Sequence, residues 1–367
     1  MRDALWMPLG RGLGAIACCV AIAWLMTGCK LKADDGLDLN SREDIDEKIE
    51  EAKRAVDETE ICPGYTVAEL LMADSLSDEC RDALLSFLPQ PQNDFKGRLV
   101  APGAARVEGD AVQVLLQGAD AAGAALTAAD FEANLEVTAI FGTEERVLAE
   151  GEFELVTTAD LSTDLLSISV VNDFSASMLD GDLDDVEALE HDLFECLPAV
   201  HETQVLRFSE TVQTALDFST DRGEILAALA PDPEFERSST ALFDAAGEAA
   251  NALGGRDRPV RIMVISTDGR ENASMEFMEA ELLAALDDNT VFVVVFGALL
   301  ADVSQLRKLA QGRGVYFYTR EFRSLAAAAR PFCEALSELV ELRIPQAAAG
   351  ASSLRVRSGE LELRLTL

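Results

Sequence analysis

Histidine is almost missing from this chain: His191 and His201 are the two in 367 residues. That excludes a site built from several imidazoles. Tryptophan is as scarce, and both copies, Trp6 and Trp24, fall in the first 24 positions. Positive charge is the third shortage. Lys and Arg number 30 against 66 Asp and Glu, a net charge of −36. Phosphate contacts need Lys and Arg, so nucleic acid is not an expected partner. Two enzyme signatures are also absent: a G-x-x-x-x-G-K phosphate loop and a G-x-S-x-G nucleophile elbow. What is present is apolar: 49% of residues are hydrophobic and 26% charged. That excludes a mostly disordered chain and allows a sizeable core. At roughly 150 residues per domain, two or three domains are expected. The acidic excess reads as a soluble, self-repelling surface, or more sharply as diffuse cation binding by carboxylate clusters.

The first residues read as an address. Arg2 and Arg11 give a positive start, and Gly12 to Cys29 is free of charge for 18 residues. That is the lower limit for a membrane span. A secretory signal is the other reading. The run ends Leu25-Met26-Thr27-Gly28-Cys29. Small residues before the cysteine resemble the lipobox of bacterial lipoproteins, with Met26 in place of the more usual Leu. The resemblance implies that residues 1–28 are cleaved and Cys29 is acylated. It places the protein in the cell envelope, held by lipid. Lys30, where Asp tends to retain inner-membrane lipoproteins, implies the outer membrane.

Seven cysteines are present. Cys18 and Cys19 leave with the signal, and Cys29 takes lipid. The remaining Cys62, Cys80, Cys196 and Cys333 are read as two disulfides with three possible pairings, or as four buried thiols. Cys62 and Cys80 flank one short segment and are a natural pair.

Composition divides the rest. Residues 29–95 read as an acidic tether followed by short helices (TVAELLMA, SDECRDALLSFL), with PQPQN at 89–93 as a linker. Residues 96–162 carry β-rich runs (VQVLLQG, LEVTAIFG, EFELVTT) between Gly, Asp and Ala turns, which predicts a small β-sandwich. From 163 to 345 apolar strands such as LLSISVVND, PVRIMVIST and NTVFVVVFG alternate with amphipathic helices. QVLRFSETVQTAL reads as a hairpin turning near Ser209. This alternation predicts an α/β fold, a doubly wound and mostly parallel sheet covered on both faces. Such sheets bind ligands at the carboxyl ends of their strands. Residues 346–367 alternate around Ser358-Gly359 as a C-terminal β-hairpin that could extend the β-rich domain.

Three loops at those strand ends carry oxygen ligands. Asp173-Phe174-Ser175-Ala176-Ser177 follows the first strand, Thr240 starts a helix in RSSTALFDAA, and Asp268-Gly269 follows MVIST. Two carboxylates and three hydroxyls suit Mg²⁺, with Mn²⁺ or Ca²⁺ as alternatives, rather than zinc or copper. The order and context resemble the von Willebrand factor A domain and its metal-ion-dependent adhesion site, D-x-S-x-S, then Thr, then Asp. STDGREN around Asp268 fits as well. The resemblance covers about residues 165–344. It implies that Asp173, Ser175, Ser177, Thr240 and Asp268 hold a divalent cation, and that a protein partner's Asp or Glu completes its shell. It also places the first and last helices side by side, which pairs Cys196 with Cys333. An immunoglobulin-like domain before the A domain is implied by QGADAAGAALTAADFEANLE, loosely. There are two departures: Ala176 stands where Gly is frequent, and Arg237-Ser238-Ser239 replaces a Gly-rich approach.

The plainer readings are that Ser175 and Ser177 cap a helix and that Asp268-Gly269 is a turn. An enzyme is not expected. In haloacid-dehalogenase phosphatases a second Asp follows the nucleophile by two residues, and here that position is Ser175. His191 and His201 read as surface or partly packed residues. Asp173 is expected at a strand end facing solvent. The rival function is a structural envelope scaffold, with a phosphatase-like hydrolase a distant third.

Overall fold

The computed structural model describes residues 60–62, 65–66, 80 and 88–367, except 104, 158–164, 179, 198–200, 270, 300 and 347. Cys29, the acidic tether and the side chain of Cys62 lie outside the described residues. The chain divides into two compact units, Met1–Phe87 and Leu88–Leu367. In the first, strands β1 (Glu60–Cys62) and β2 (Tyr65–Thr66) pair antiparallel where the sequence predicts tether and helices.

The second unit begins with β3 (Gln92–Asn93). Strands β4 (Arg98–Val100), β5 (Arg106–Glu108) and β6 (Ala111–Ala119) follow. Helix α1 (Ala128–Asn134) leads to β7 (Leu135–Phe141), β8 (Glu144–Val147) and β9 (Glu154–Thr157). The alternating part comes next, from β10 (Leu166–Asp173) and α2 (Asp180–Cys196) to β11 (His201–Phe208), β12 (Val212–Ser219) and α3 (Arg222–Leu229). It continues with α4 (Leu242–Gly254), β13 (Val260–Thr267), α5 (Glu279–Asp288) and β14 (Val291–Gly297). It closes with α6 (Val303–Ala310), β15 (Gly314–Tyr318) and α7 (Leu325–Ser337). Strands β16 (Val340–Ile344), β17 (Ser353–Ser358) and β18 (Leu361–Thr366) end the chain.

The α/β sheet has the order β12-β11-β10-β13-β14-β15-β3. Its five inner strands run parallel, and β12 and β3 are antiparallel edges. The parallel strands β10, β11, β14 and β15 are buried along their whole length. Leu183, Leu193, Ile225 and Phe332 from α2, α3 and α7 cover one face. Leu242, Leu286 and Leu306 from α4, α5 and α6 cover the other. The doubly wound, mostly parallel sheet predicted from sequence is therefore present. The 89–93 stretch is not only linker: Gln92 and Asn93 pair with Tyr318 and Phe317.

The β-rich layers form a sandwich. One sheet has the order β4-β6-β16-β9, with β5 also on β6, and the other runs β18-β17-β7-β8. Val112, Val114, Leu116, Leu342 and Ile344 face Val137, Ala139, Leu354 and Val356 across a shared core. The period of two in β6 sends Leu115 and Ala119 the other way, into the core beneath α7. One strand thus serves both cores. The sequence reading separates 96–162, 163–345 and 346–367. In the fold the hairpin β17–β18 joins the sandwich, and so does β16, which pairs with β6 and β9 rather than with the α/β sheet. The α/β domain is therefore inserted into the sandwich. Among the described residues no helix is long and apolar enough to cross a membrane.

Candidate metal site

The chain leaves β10 outward to β11 and β12, then returns to β13 on the opposite side of β10. That reversal is the switch point where such sheets leave a crevice at their carboxyl ends. Asp173 ends β10, and Asp268 follows the last residue of β13. The topology alone brings the two aspartates together.

The hydroxyls join them. Asp173 Oδ1 accepts from the Ser175 amide at 2.7 Å, which tightens the turn. Ser175 Oγ lies 3.1 Å from Ser177 Oγ, and Ser177 donates to Asp268 Oδ1 at 2.8 Å. Thr240 is set by Asn272, whose Oδ1 accepts from the Thr240 amide at 2.8 Å. A Cβ built on Gly269 would lie 2.9 Å from Thr240 Oγ1 and 3.0 Å from Asp173 Oδ2. Those two oxygens face the same spot, and glycine leaves it clear. All five residues read from the sequence thus share one place. The two departures from the family pattern also meet, because the Ala176 amide donates to Ser238 O at 2.8 Å.

Asp173, Ser175, Thr240 and Asp268 are buried, at 1%, 1%, 4% and 2% exposure, and Ser177 is half-buried. Asp173 does not face solvent as expected. Thr267 Oγ1, which the sequence reading passed over, donates to its Oδ2 at 2.5 Å and in turn accepts from the Gly269 amide at 3.0 Å. Asp173→Ala would strand these donors, at about 1–3 kcal/mol each. Burial pushes the Asp173 carboxyl up, against the hydrogen bonds from Ser175 and Thr267. Burial, then the charge of Asp173, pushes Asp268 well up. Two buried carboxylates with no basic side chain on either among the described residues are what a dication would relieve. Among the described residues no three His, Cys, Asp or Glu side chains cluster as a metal site. The donor set here is mostly hydroxyl and fits a hard cation.

Glu190, on α2, is a further residue the sequence did not single out. Its Oε2 accepts from Asn172 at 2.9 Å and its Oε1 from Ser266 at 3.1 Å. Asn172 and Ser266 are register partners just below the two aspartates, so Glu190 ties β10 to β13 under the site. Burial pushes its carboxyl from 4.5 to about 8, against those two hydrogen bonds. Between these values the folded chain holds a proton that the unfolded chain lacks. Stability therefore falls as pH rises through that window, by roughly 3–5 kcal/mol in all. Glu190→Gln keeps the neutral shape and should flatten the fall. Urea unfolding at pH 5.5 and 8.5 measures it; identical slopes in both proteins would mean Glu190 is ionised in the fold.

His191 is half-exposed on α2, and His201 opens β11; neither touches the site. Cys196 and Cys333 form a disulfide with Cα atoms 5.4 Å apart. Cys80 is also disulfide-bonded, and its partner's side chain lies outside the described residues.

A doubly wound sheet with a hydroxyl-and-carboxylate cluster at its switch point defines the class. Residues 167–330 match the family model of the von Willebrand factor type A domain, so the α/β layer carries a domain of that type. The match spans less than half the chain. No curated protein matches it. Among solved structures, proximal thread matrix protein 1 from the mussel byssus, solved with its MIDAS motif occupied by zinc, is 17% identical. It covers 53% of this chain, at a TM-score of 0.43, and this chain spans 50% of its length. An aerotolerance-related membrane protein from Bacteroides fragilis is 18% identical, covering 46% of this chain and 98% of its own, at a TM-score of 0.39. The SpRpn10 VWA domain is 15% identical, covering 44% and 94%, at a TM-score of 0.36.

Proposed function

We propose that this is a lipid-anchored cell-envelope protein that binds a protein partner through a divalent cation held by its A domain. The observation that carries the reading is the pair of buried aspartates, 173 and 268, ringed by three hydroxyls and without a basic partner among the described residues. Mg²⁺ is the ion favoured by hard oxygen ligands, with Mn²⁺ and Ca²⁺ as the alternatives. Two aspartates neutralise the dication and the hydroxyls add little charge. The ion keeps its attraction for a partner's Asp or Glu. No catalytic role is proposed. The test is a pull-down from envelope extract with the purified protein, in Mg²⁺ against chelator. A partner retained in Mg²⁺ and released by chelator supports the reading. A partner retained equally in both turns it toward a scaffold.

The anchor belongs to the same proposal and rests on Leu25-Met26-Thr27-Gly28-Cys29. One acyl chain holds a protein only marginally, whereas two or more hold it stably. Cys29→Ser is expected to block palmitate incorporation and leave the precursor uncut. Labelled palmitate in the Cys29→Ser protein would refute the anchor. Outer-membrane placement follows from Lys30 and is tested by sucrose-gradient fractionation.

A further inference from the structure

The β-sandwich holds a cavity of about 510 Å³ that the ion site does not use. It falls in the range of about 300–1,000 Å³ usual for ligand sites. It is lined by α1, the start of β7, the connection between β8 and β9, and the edge strand β9 itself. Its lining combines two chemistries. Phe131, Leu135, Leu148, Phe153 and Leu155 make an apolar floor, of which Leu135, Phe153 and Leu155 stay half-exposed. Glu132, Glu136 and Glu150 stand on the rim, all exposed, and no Lys or Arg lines it. Glu136 lies 3.7 Å from Arg357, which itself bonds Glu362. Glu132 and Glu150 have no ion pair among the described residues.

The mouth is also held in shape. The Ala149 amide donates to Glu152 Oε2 at 2.7 Å, and Arg146 pairs with Glu152 Oε1 at 2.9 Å. Gly151 takes a φ of 88°, open to glycine without strain. A mouth already ordered loses little entropy when it is filled.

We infer that this cavity is a docking site for a basic partner segment, one that lays an apolar side chain on the Phe131–Leu155 floor and Lys or Arg against Glu132 and Glu150. The edge of β9 gives such a segment a backbone to run along. Charge selects the occupant. This chain's own residues 30–60 hold twice as many acidic as basic residues, so the rim repels them. A second copy, at a net charge of −36, is repelled as well. A foreign segment with the opposite sign remains.

The test uses the full chain with chelator present, so that the ion site cannot contribute. The probe is a labelled peptide of alternating Lys and Leu, followed by fluorescence anisotropy. Two controls replace Lys by Glu or Leu by Ser. The lysine–leucine peptide should bind, and both controls should bind at least tenfold more weakly. Glu132→Lys with Glu150→Lys should weaken the first peptide at least tenfold. Asp184→Lys with Glu334→Lys makes the same charge change elsewhere and should leave binding unaltered. Equal loss in both double variants would overturn the site, because binding would then follow bulk charge. No binding by the wild type, or equal binding by the serine control, would overturn it too.

Discussion

Asp268→Asn is expected to abolish Mg²⁺ binding and to raise the melting temperature of the ion-free protein. Both effects have one cause. Asp268 is buried beside Asp173, and burial and that neighbouring charge push its carboxyl well up. A carboxyl whose folded value is raised destabilises the fold as pH rises above its unfolded value. Asparagine removes the charge and can still accept the Ser177 hydroxyl at the Oδ1 position. The site then offers one anion to a dication that gives up water reluctantly, and binding is lost. Protons and ion compete for the same oxygens, so wild-type affinity should climb as pH rises above the ordinary carboxylate range. Calorimetric titration with Mg²⁺ and Mn²⁺ reads the affinity, and thermal scans in chelator read the stability. Equal ion binding by wild type and Asp268→Asn would place the ion elsewhere.

The second large effect belongs to the Cys196–Cys333 bridge. It spans 137 residues and ties α2 to α7, which pack side by side. Closing a loop of that length removes roughly 5 kcal/mol of unfolded-chain entropy before any offset. Replacing both cysteines by serine should lower the melting temperature by roughly 10 °C. Single variants leave a lone thiol and are the poorer test. An unchanged melting temperature would mean that the apolar face of α7, with Leu325, Phe332 and Leu336, already holds the helix.

The ion site was legible because its parts are local. Asp173, Ser175 and Ser177 lie within one turn, and apolar runs announce the strands that deliver Asp173 and Asp268. Thr267 and Gly269 sit beside Asp268 in the quoted run, yet their work depends on Asp173, 94 residues earlier, so periodicity gives no sign of it. Glu190 occupies a helix face that reads as amphipathic in either case. Only the pairing of Asn172 with Ser266 shows why a carboxyl is buried there. The sandwich was half legible. Alternation marks its strands, but partners such as Ile140 and Ser353 lie too far apart for local pattern to match them. VELRI at β16 carries no mark of which sheet it joins.

The insertion sets an order of assembly. Thr157 and Val340 are opposite one another in neighbouring strands, so the chain leaves and re-joins the sandwich at a single doorway. During synthesis β4 to β9 emerge first, while three of their partner strands, β16, β17 and β18, come last. Until Ile344 is made β9 lacks β16, and until Ser358 is made β7 lacks β17. The A domain has all its own strands except the short edge β3 in one continuous stretch and can collapse meanwhile. A nonsense mutation between α7 and β16 would thus spare the ion site and unmake the sandwich, leaving the edges of β7 and β9 open to aggregation.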